Sequence, residues 1–253
     1  MSHILKISTI IMMLCLSACV PVNQGGQTKQ QENVHHKLAM AYLQGNNPTM
    51  ALKESLVAVK QDPNNSSIQF TLALAYQQKK AHSLAEKHYL KALVLSNNDP
   101  RYQNNLASLY LDMEKWDKAI DYFDQASMNL LFANAHVAVA GKAYAYFKKM
   151  DYPTALNYYR EALALAPRYA QAYFHQSEVY RALGDVDQEK VSLERAVDIA
   201  PRFFQARYQL AVLLLQQESP EEAAEQLKII LEFSPTSELG YKARGILKSL
   251  PDS

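Results

Sequence analysis

The side chains able to do chemistry in this 253-residue sequence are two cysteines, seven histidines and 25 acidic residues. His35 and His36 are adjacent and so point to different parts of a helix; His82 and His88 are six apart, also a poor pair of helical metal ligands. These histidines are expected at the surface or between helices, with no metal and no cofactor. Glu221, Glu222 and Glu225 sit together on a solvated helix face with no third residue at a spacing that makes an acid–base pair. The sequence has no phosphate-cradling glycine loop, no G-x-S-x-G elbow and no H-E-x-x-H. Catalysis is not expected. The balanced charge, 26 basic against 25 acidic side chains, gives no electrostatic reason to bind nucleic acid. What remains is covalent chemistry at a cysteine.

Cys15 lies inside the apolar run Ile7–Leu16, which follows Lys6 and is too short to span a bilayer at about 20 residues. The run ends in Leu16-Ser17-Ala18-Cys19, which resembles the bacterial lipobox. That resemblance implies that residues 1–18 are a lipoprotein signal peptide and that Cys19 is acylated as the mature N-terminus. The alternatives are an ordinary signal peptide cleaved elsewhere, or a buried helix with two incidental cysteines. On the lipobox reading Cys15 is discarded, so neither a Cys15–Cys19 redox pair nor a disulfide is expected. Loss of Lys6 then leaves 25 basic against 25 acidic side chains. A neutral body has no electrostatic attraction to anionic lipid, so the acyl chains must do the holding. Residues 19–31 comprise the lipidated cysteine and a Gln-, Asn- and Gly-rich tether. Its mean span is about 20 Å, which would leave the remainder free to swivel.

The elements downstream repeat one pattern. In Asp151–Pro167, Ala155, Tyr159 and Ala162 fall on one face of a helix, with Pro167 closing it. Upstream, Val139, Ala143 and Tyr146 make a similar stripe, so the unit is a helical hairpin that cannot bury its apolar faces alone. A small first-helix residue recurs as Ala39, Ala73, Ala107, Ala143, Ser177 and Ala211, followed by Tyr42, Tyr76, Tyr110, Tyr146, Tyr180 and Leu214. The second helix contributes Ala51, Ala85, Ala119, Ala155, Glu189 and Ala223, then Ala58, Ala92, Ala126, Ala162, Ala196 and Ile230. Between these lie Ser55, Tyr89, Phe123, Tyr159, Leu193 and Leu227, and the closing positions are Pro63, Asn97, Leu131, Pro167, Pro201 and Pro235. The offset is 34 residues, except 36 between the third and fourth copies.

That period and residue order resemble the tetratricopeptide repeat. The resemblance implies an all-α, right-handed superhelical solenoid of six repeats over 32–237 (32–65, 66–99, 100–135, 136–169, 170–203 and 204–237). Residues 238–253 would form a C-terminal cap, in which Leu239, Ile246, Leu247 and Leu250 cover repeat six while Gly240 and Gly245 weaken the helix. By the same resemblance the first helices line an inner wall. Its candidate partner-groove residues are Phe70, Leu74, Leu111, Tyr144, Phe147, Phe174, Tyr208, Val212 and Leu215. An aromatic-rich wall of this kind suits an amphipathic helix or an extended apolar segment. The same rings could instead complete packing between repeats. The wall lacks the Lys/Asn/Arg set with which chaperone-binding members of the family clamp a C-terminal carboxylate. At the third-to-fourth junction, Ser127–Asn134 either packs into a longer helix or presents an apolar patch. Trp116 is expected to pack.

A lipobox, a short polar tether, six such repeats and a small cap in about 250 residues together resemble the PilF/PilW family of type IV pilus pilotins. The resemblance implies a monomeric lipoprotein anchored in the outer membrane and facing the periplasm. Its protein partner would be the pilus secretin, whose localisation and multimerisation it promotes. The competing expectation is a general periplasmic adaptor for murein enzymes or outer-membrane protein assembly.

Overall fold

The computed structural model describes residues 33–250, which form thirteen α-helices among the described residues. Six consecutive pairs are α1 (Val34–Gln44) with α2 (Pro48–Gln61), α3 (Ser66–Gln78) with α4 (His82–Leu95), α5 (Pro100–Asp112) with α6 (Trp116–Ser127), α7 (Ala135–Lys148) with α8 (Tyr152–Leu165), α9 (Ala170–Leu183) with α10 (Val186–Ile199), and α11 (Phe204–Gln216) with α12 (Pro220–Phe233). A last helix, α13 (Glu238–Ser249), follows. The lipobox cysteine Cys19, the leader and the tether lie outside the described residues. No described helix is long and apolar enough to cross a membrane.

Local chemistry sets the helix ends. The side chains of Asn33, Asn47, Asn65, Asp99, Asp151, Asp185 and Ser237 accept from amides of the following first turn. Prolines occupy the first turns of α2, α5, α8 and α12, where the missing N–H is not needed. Each pair turns through one left-handed residue, at Asn46, Lys80, Glu114, Met150, Gly184 and Glu218 in the six copies. The amide after it returns to the carbonyl of the large first-helix packer, as in Asn47 to Tyr42 (2.8 Å), Asp151 to Tyr146 (3.0 Å) and Ser219 to Leu214 (2.9 Å). This six-to-one bond closes the helix end and fixes the hairpin angle.

The small positions are where the helices touch. Ala39, Ala73, Ala107, Ala143, Ser177 and Ala211 are completely buried, as are Ala51, Ala85, Ala119, Ala155 and Ala223. The rings between them, Tyr89, Phe123 and Tyr159, fill the space that the small residues leave. Each helix packs on the next, and first helices also touch across repeats, α1 on α3, α5 on α7 and α7 on α9. The array is therefore held by neighbour contacts, the energetics of a solenoid.

Two places differ from simple repetition. At the third-to-fourth junction α6 stops at Ser127 and α7 starts at Ala135, so there is no longer helix. Phe132 turns inward and joins the core, while Met128, Leu130 and Leu131 stay outside. In α13, Leu239, Ile246 and Leu247 pack on the core of repeat six. Gly240, expected only to weaken this helix, also has a packing role. It is buried, and a Cβ there would lie 2.2 Å from the Ser234 carbonyl oxygen, so the close approach requires glycine.

Candidate partner-binding groove

The groove residues anticipated from the sequence all lie on first helices: Phe70 and Leu74 on α3, Leu111 on α5, Tyr144 and Phe147 on α7, Phe174 on α9, and Tyr208, Val212 and Leu215 on α11. Their exposure is lower than a bare groove needs. Phe174 is 3% exposed and belongs to the core, with its ring 4.9 Å from Phe203. Phe70 stacks on Tyr102 of the next repeat at 4.3 Å and meets Tyr89 at 5.7 Å. Tyr144 lies 5.1 Å from His175, again one repeat on, and 6.1 Å from Phe147. These rings join repeats, and that use leaves the others half-buried.

One opening in the surface is mixed rather than apolar. A pocket of about 620 Å³ lies between repeats two and three, lined by Leu74, Gln77, Gln78, Lys80, His82, Asn105 and Asp112. Among the lining residues Gln77 Nε2 donates to Asp112 Oδ2 at 2.7 Å, and Gln77 Oε1 accepts from the buried Tyr89 hydroxyl at 2.7 Å. Of the nine anticipated residues only Leu74 lines this opening. Gln77 and Gln78 stand at the wall positions of repeat two. Asp112 holds in repeat three the wall position that Gln78 holds in repeat two, Asn105 lies beside a wall position, and only the fold brings Asp112 to Gln77.

Several charged side chains serve as joints between helices. Tyr110 Oη donates to Glu86 Oε1 at 2.8 Å, with Lys115 and Lys118 Nζ at 3.6 and 3.7 Å from that carboxylate. Burial pushes the Glu86 carboxyl up, but the Tyr110 hydroxyl and the two ammonium groups outweigh it and hold it below its ordinary value. Lys142 bonds Asp124 and lies 4.3 Å from the Tyr158 ring, fixing α7 against α6 and α8. Arg181 Nε donates to Glu189 Oε1 at 2.6 Å, and its Nη2 donates to Gln209 at 2.9 Å on the next repeat. His35 lies 2.6 Å from Glu54, and His175 lies 2.6 Å from Glu178. Among the described residues no three His, Cys, Asp or Glu come together as a metal site. Trp116 is half-buried at the start of α6 with Lys148 Nζ 5.9 Å from its ring.

Comparison with known proteins agrees with this geometry. A tetratricopeptide repeat family model matches residues 36–100, 141–189 and 192–238, and a second one matches 104–131. A Saccharomyces cerevisiae protein, small glutamine-rich tetratricopeptide repeat-containing protein 2, is 33% identical over 82 residues. That match spans 32% of this chain and only 24% of the yeast protein. Among solved structures, PilW, a widely conserved type IV pilus biogenesis factor, superposes with a TM-score of 0.71 at 19% identity, covering 84% of this chain and 97% of that one. Pseudomonas aeruginosa PilF superposes with a TM-score of 0.65 at 16% identity, covering 83% and 95%. Arrays of this kind are protein-interaction scaffolds. The chain belongs to the tetratricopeptide repeat family, as a right-handed superhelical solenoid of six repeats closed by a capping helix.

Proposed function

We propose that this protein is a pilotin, an outer-membrane lipoprotein facing the periplasm that binds the type IV pilus secretin. Its acyl chains on Cys19 supply membrane affinity, and its repeats hold a secretin subunit. Holding subunits at one surface raises their local concentration and favours ring assembly without any covalent step. The reading assigns binding, not catalysis. The observation that carries it is the extent of the likeness to PilW, which takes in 84% of this chain and nearly all of that factor. The lipobox-like Leu16–Cys19 adds a route to the membrane.

The pocket between repeats two and three is the place to bind a partner segment. Leu74 offers it an apolar contact, and Gln77, Gln78, Lys80 and Asp112 offer polar ones, a mixture suited to one amphipathic segment. The test is capture of detergent-solubilised secretin by the purified chain. Gln78→Glu with Lys80→Glu changes the exposed rim and leaves the core alone. Wild type is expected to retain secretin and the double variant to retain at least about tenfold less, a change of roughly 1.4 kcal/mol. Failure of wild type to retain secretin would sink the proposal.

A further inference from the structure

The connection between α6 and α7 carries the most exposed apolar side chains of the described chain. Leu130 and Leu131 are 101% and 94% exposed and Met128 is 73% exposed, while Phe132 is buried and pins the loop to the core. Val94, 81% exposed, holds in repeat two the position that Met128 holds in repeat three, and so extends the patch along the array. From Gln125 to Gly141 the sequence has no Asp, Glu, Lys or Arg.

The loop backbone is largely satisfied from within. The Leu131 amide donates to Asn129 Oδ1 at 2.9 Å, the Phe132 amide to the Asn129 carbonyl at 2.9 Å, and the Ala135 amide to the Phe132 carbonyl at 3.1 Å. Amides paired in this way enter a low-dielectric phase with little penalty. The tip is also convex. A protein recognises an apolar group by enclosing it in a shaped pocket, whereas a lipid surface accepts a protruding one without shape matching.

Its position completes the argument. Asn33 Nδ2 donates to Gln61 Oε1 at 2.9 Å, so the chain enters the array beside the end of α2. The α6–α7 loop also joins the end of a second helix to the start of a first helix, and therefore lies on the same edge. Three repeats at about 10 Å of helix packing put it roughly 30 Å from Asn33. The chain between Cys19 and Asn33 can reach about 45 Å when extended. The opposite edge, with the left-handed turn residues Asn46, Lys80, Glu114, Met150 and Glu218, is mostly polar or charged.

We infer that Met128, Leu130 and Leu131 enter the outer part of the lipid bilayer to which Cys19 holds the protein, making a second point of membrane attachment. This rests on the reading of Cys19 as the lipid site. Two points of attachment set the array edge-on to the membrane and remove the swivel that a tether alone would allow.

The test couples the protein starting at Cys19, which keeps every described residue, through that thiol to a maleimide lipid. The vesicles are phosphatidylethanolamine with phosphatidylglycerol, and amide hydrogen exchange is followed with and without coupling. Exchange in 129–133 is expected to slow about tenfold or more on coupling, with the Lys149–Asp151 turn on the opposite edge unchanged. Leu130→Asn with Leu131→Asn should abolish the slowing without moving the thermal midpoint. The inference is overturned by unchanged loop exchange on vesicles, or by slowing that the double variant retains. Slowing that grows with concentration in the uncoupled chain would assign the loop to self-association, and slowing that needs added secretin would assign it to a protein partner. Either overturns it. The Cys19 reading is judged separately, because a Cys19→Ser protein that stays in cell membranes would refute the anchor whatever the coupled vesicles show.

Discussion

Tyr89 Oη donates to Gln77 Oε1 at 2.7 Å, whereas Tyr159, two repeats later at the same repeat position, has Phe147 where Tyr89 has Gln77. Among the described residues nothing hydrogen-bonds the buried Tyr159 hydroxyl. Burial pushes both phenols well above their ordinary range, so both stay neutral. Tyr89→Phe should therefore lose about 1 kcal/mol of unfolding free energy, and Tyr159→Phe should lose none or gain up to about 1 kcal/mol. Urea titration of the two variants decides it. Equal losses would mean that the two hydroxyls are equally satisfied.

Glu189 stands where five repeats have alanine, and it is 4% exposed. Arg181, with its side chain about half exposed, is its ion-pair partner at 2.6 Å. Removing Arg181 strands a buried carboxylate, so Arg181→Ala should cost about 1–3 kcal/mol, the lower part of the range for broken buried pairs because solvent screens the arginine. Glu189→Ala restores the small residue and should be neutral or stabilising. Adding Glu189→Ala to Arg181→Ala should recover most of the loss. A double variant as unstable as Arg181→Ala would show that the arginine acts through packing instead.

Gly184 is the one glycine among the six left-handed turn residues, at φ 74°, and a Cβ placed there meets nothing within 4 Å. Gly184→Ala consequently tests backbone strain free of steric clash. It should destabilise by about 1 kcal/mol, read as a lower thermal midpoint. The reverse change at the equivalent Met150, Met150→Gly, removes the same strain but adds chain entropy in the unfolded state, and should shift the midpoint less.

The repeat was legible in the sequence because its small positions are dictated by contact. Ala107 and Ala119 are buried completely, and any larger residue would push helices apart, so the 34-residue spacing survives in the residue types. The groove was less legible. Position within a repeat places Phe70 and Phe174 on one column of the wall, yet the ring of each turns onto a partner distant in sequence that only the fold brings to it, Tyr102 of the next repeat for one and Phe203, just before α11, for the other. The α6–α7 junction left two outcomes open for a similar reason. Leu130, Leu131 and Phe132 look alike in sequence, and the fold buries one of them.

His88 is half-buried, its Nδ1 2.7 Å from Gln69 Oε1, with its ring stacked 5.5 Å from Tyr76. Burial, then the charges of Lys87 and Lys91, hold its pKa below the ordinary 6.5. A depressed folded-state value means that the unfolded chain takes up the proton first. Its contribution to stability is thus fully present above about pH 6.5 and declines as pH falls through that value toward the folded one. Urea midpoints measured from pH 7.5 down to 5.5 should fall for wild type and fall less for His88→Gln. An identical slope in the variant would remove His88 from the account.

The pilotin reading is tested most directly by the secretin itself. Outer-membrane fractions from wild type, a deletion and Cys19→Ser are run on an unboiled gel and probed for the secretin. The account predicts loss of the high-mass multimer in the deletion, and multimer in the wrong membrane in Cys19→Ser. An unchanged multimer in all three strains would contradict it and leave a general periplasmic adaptor as the better description.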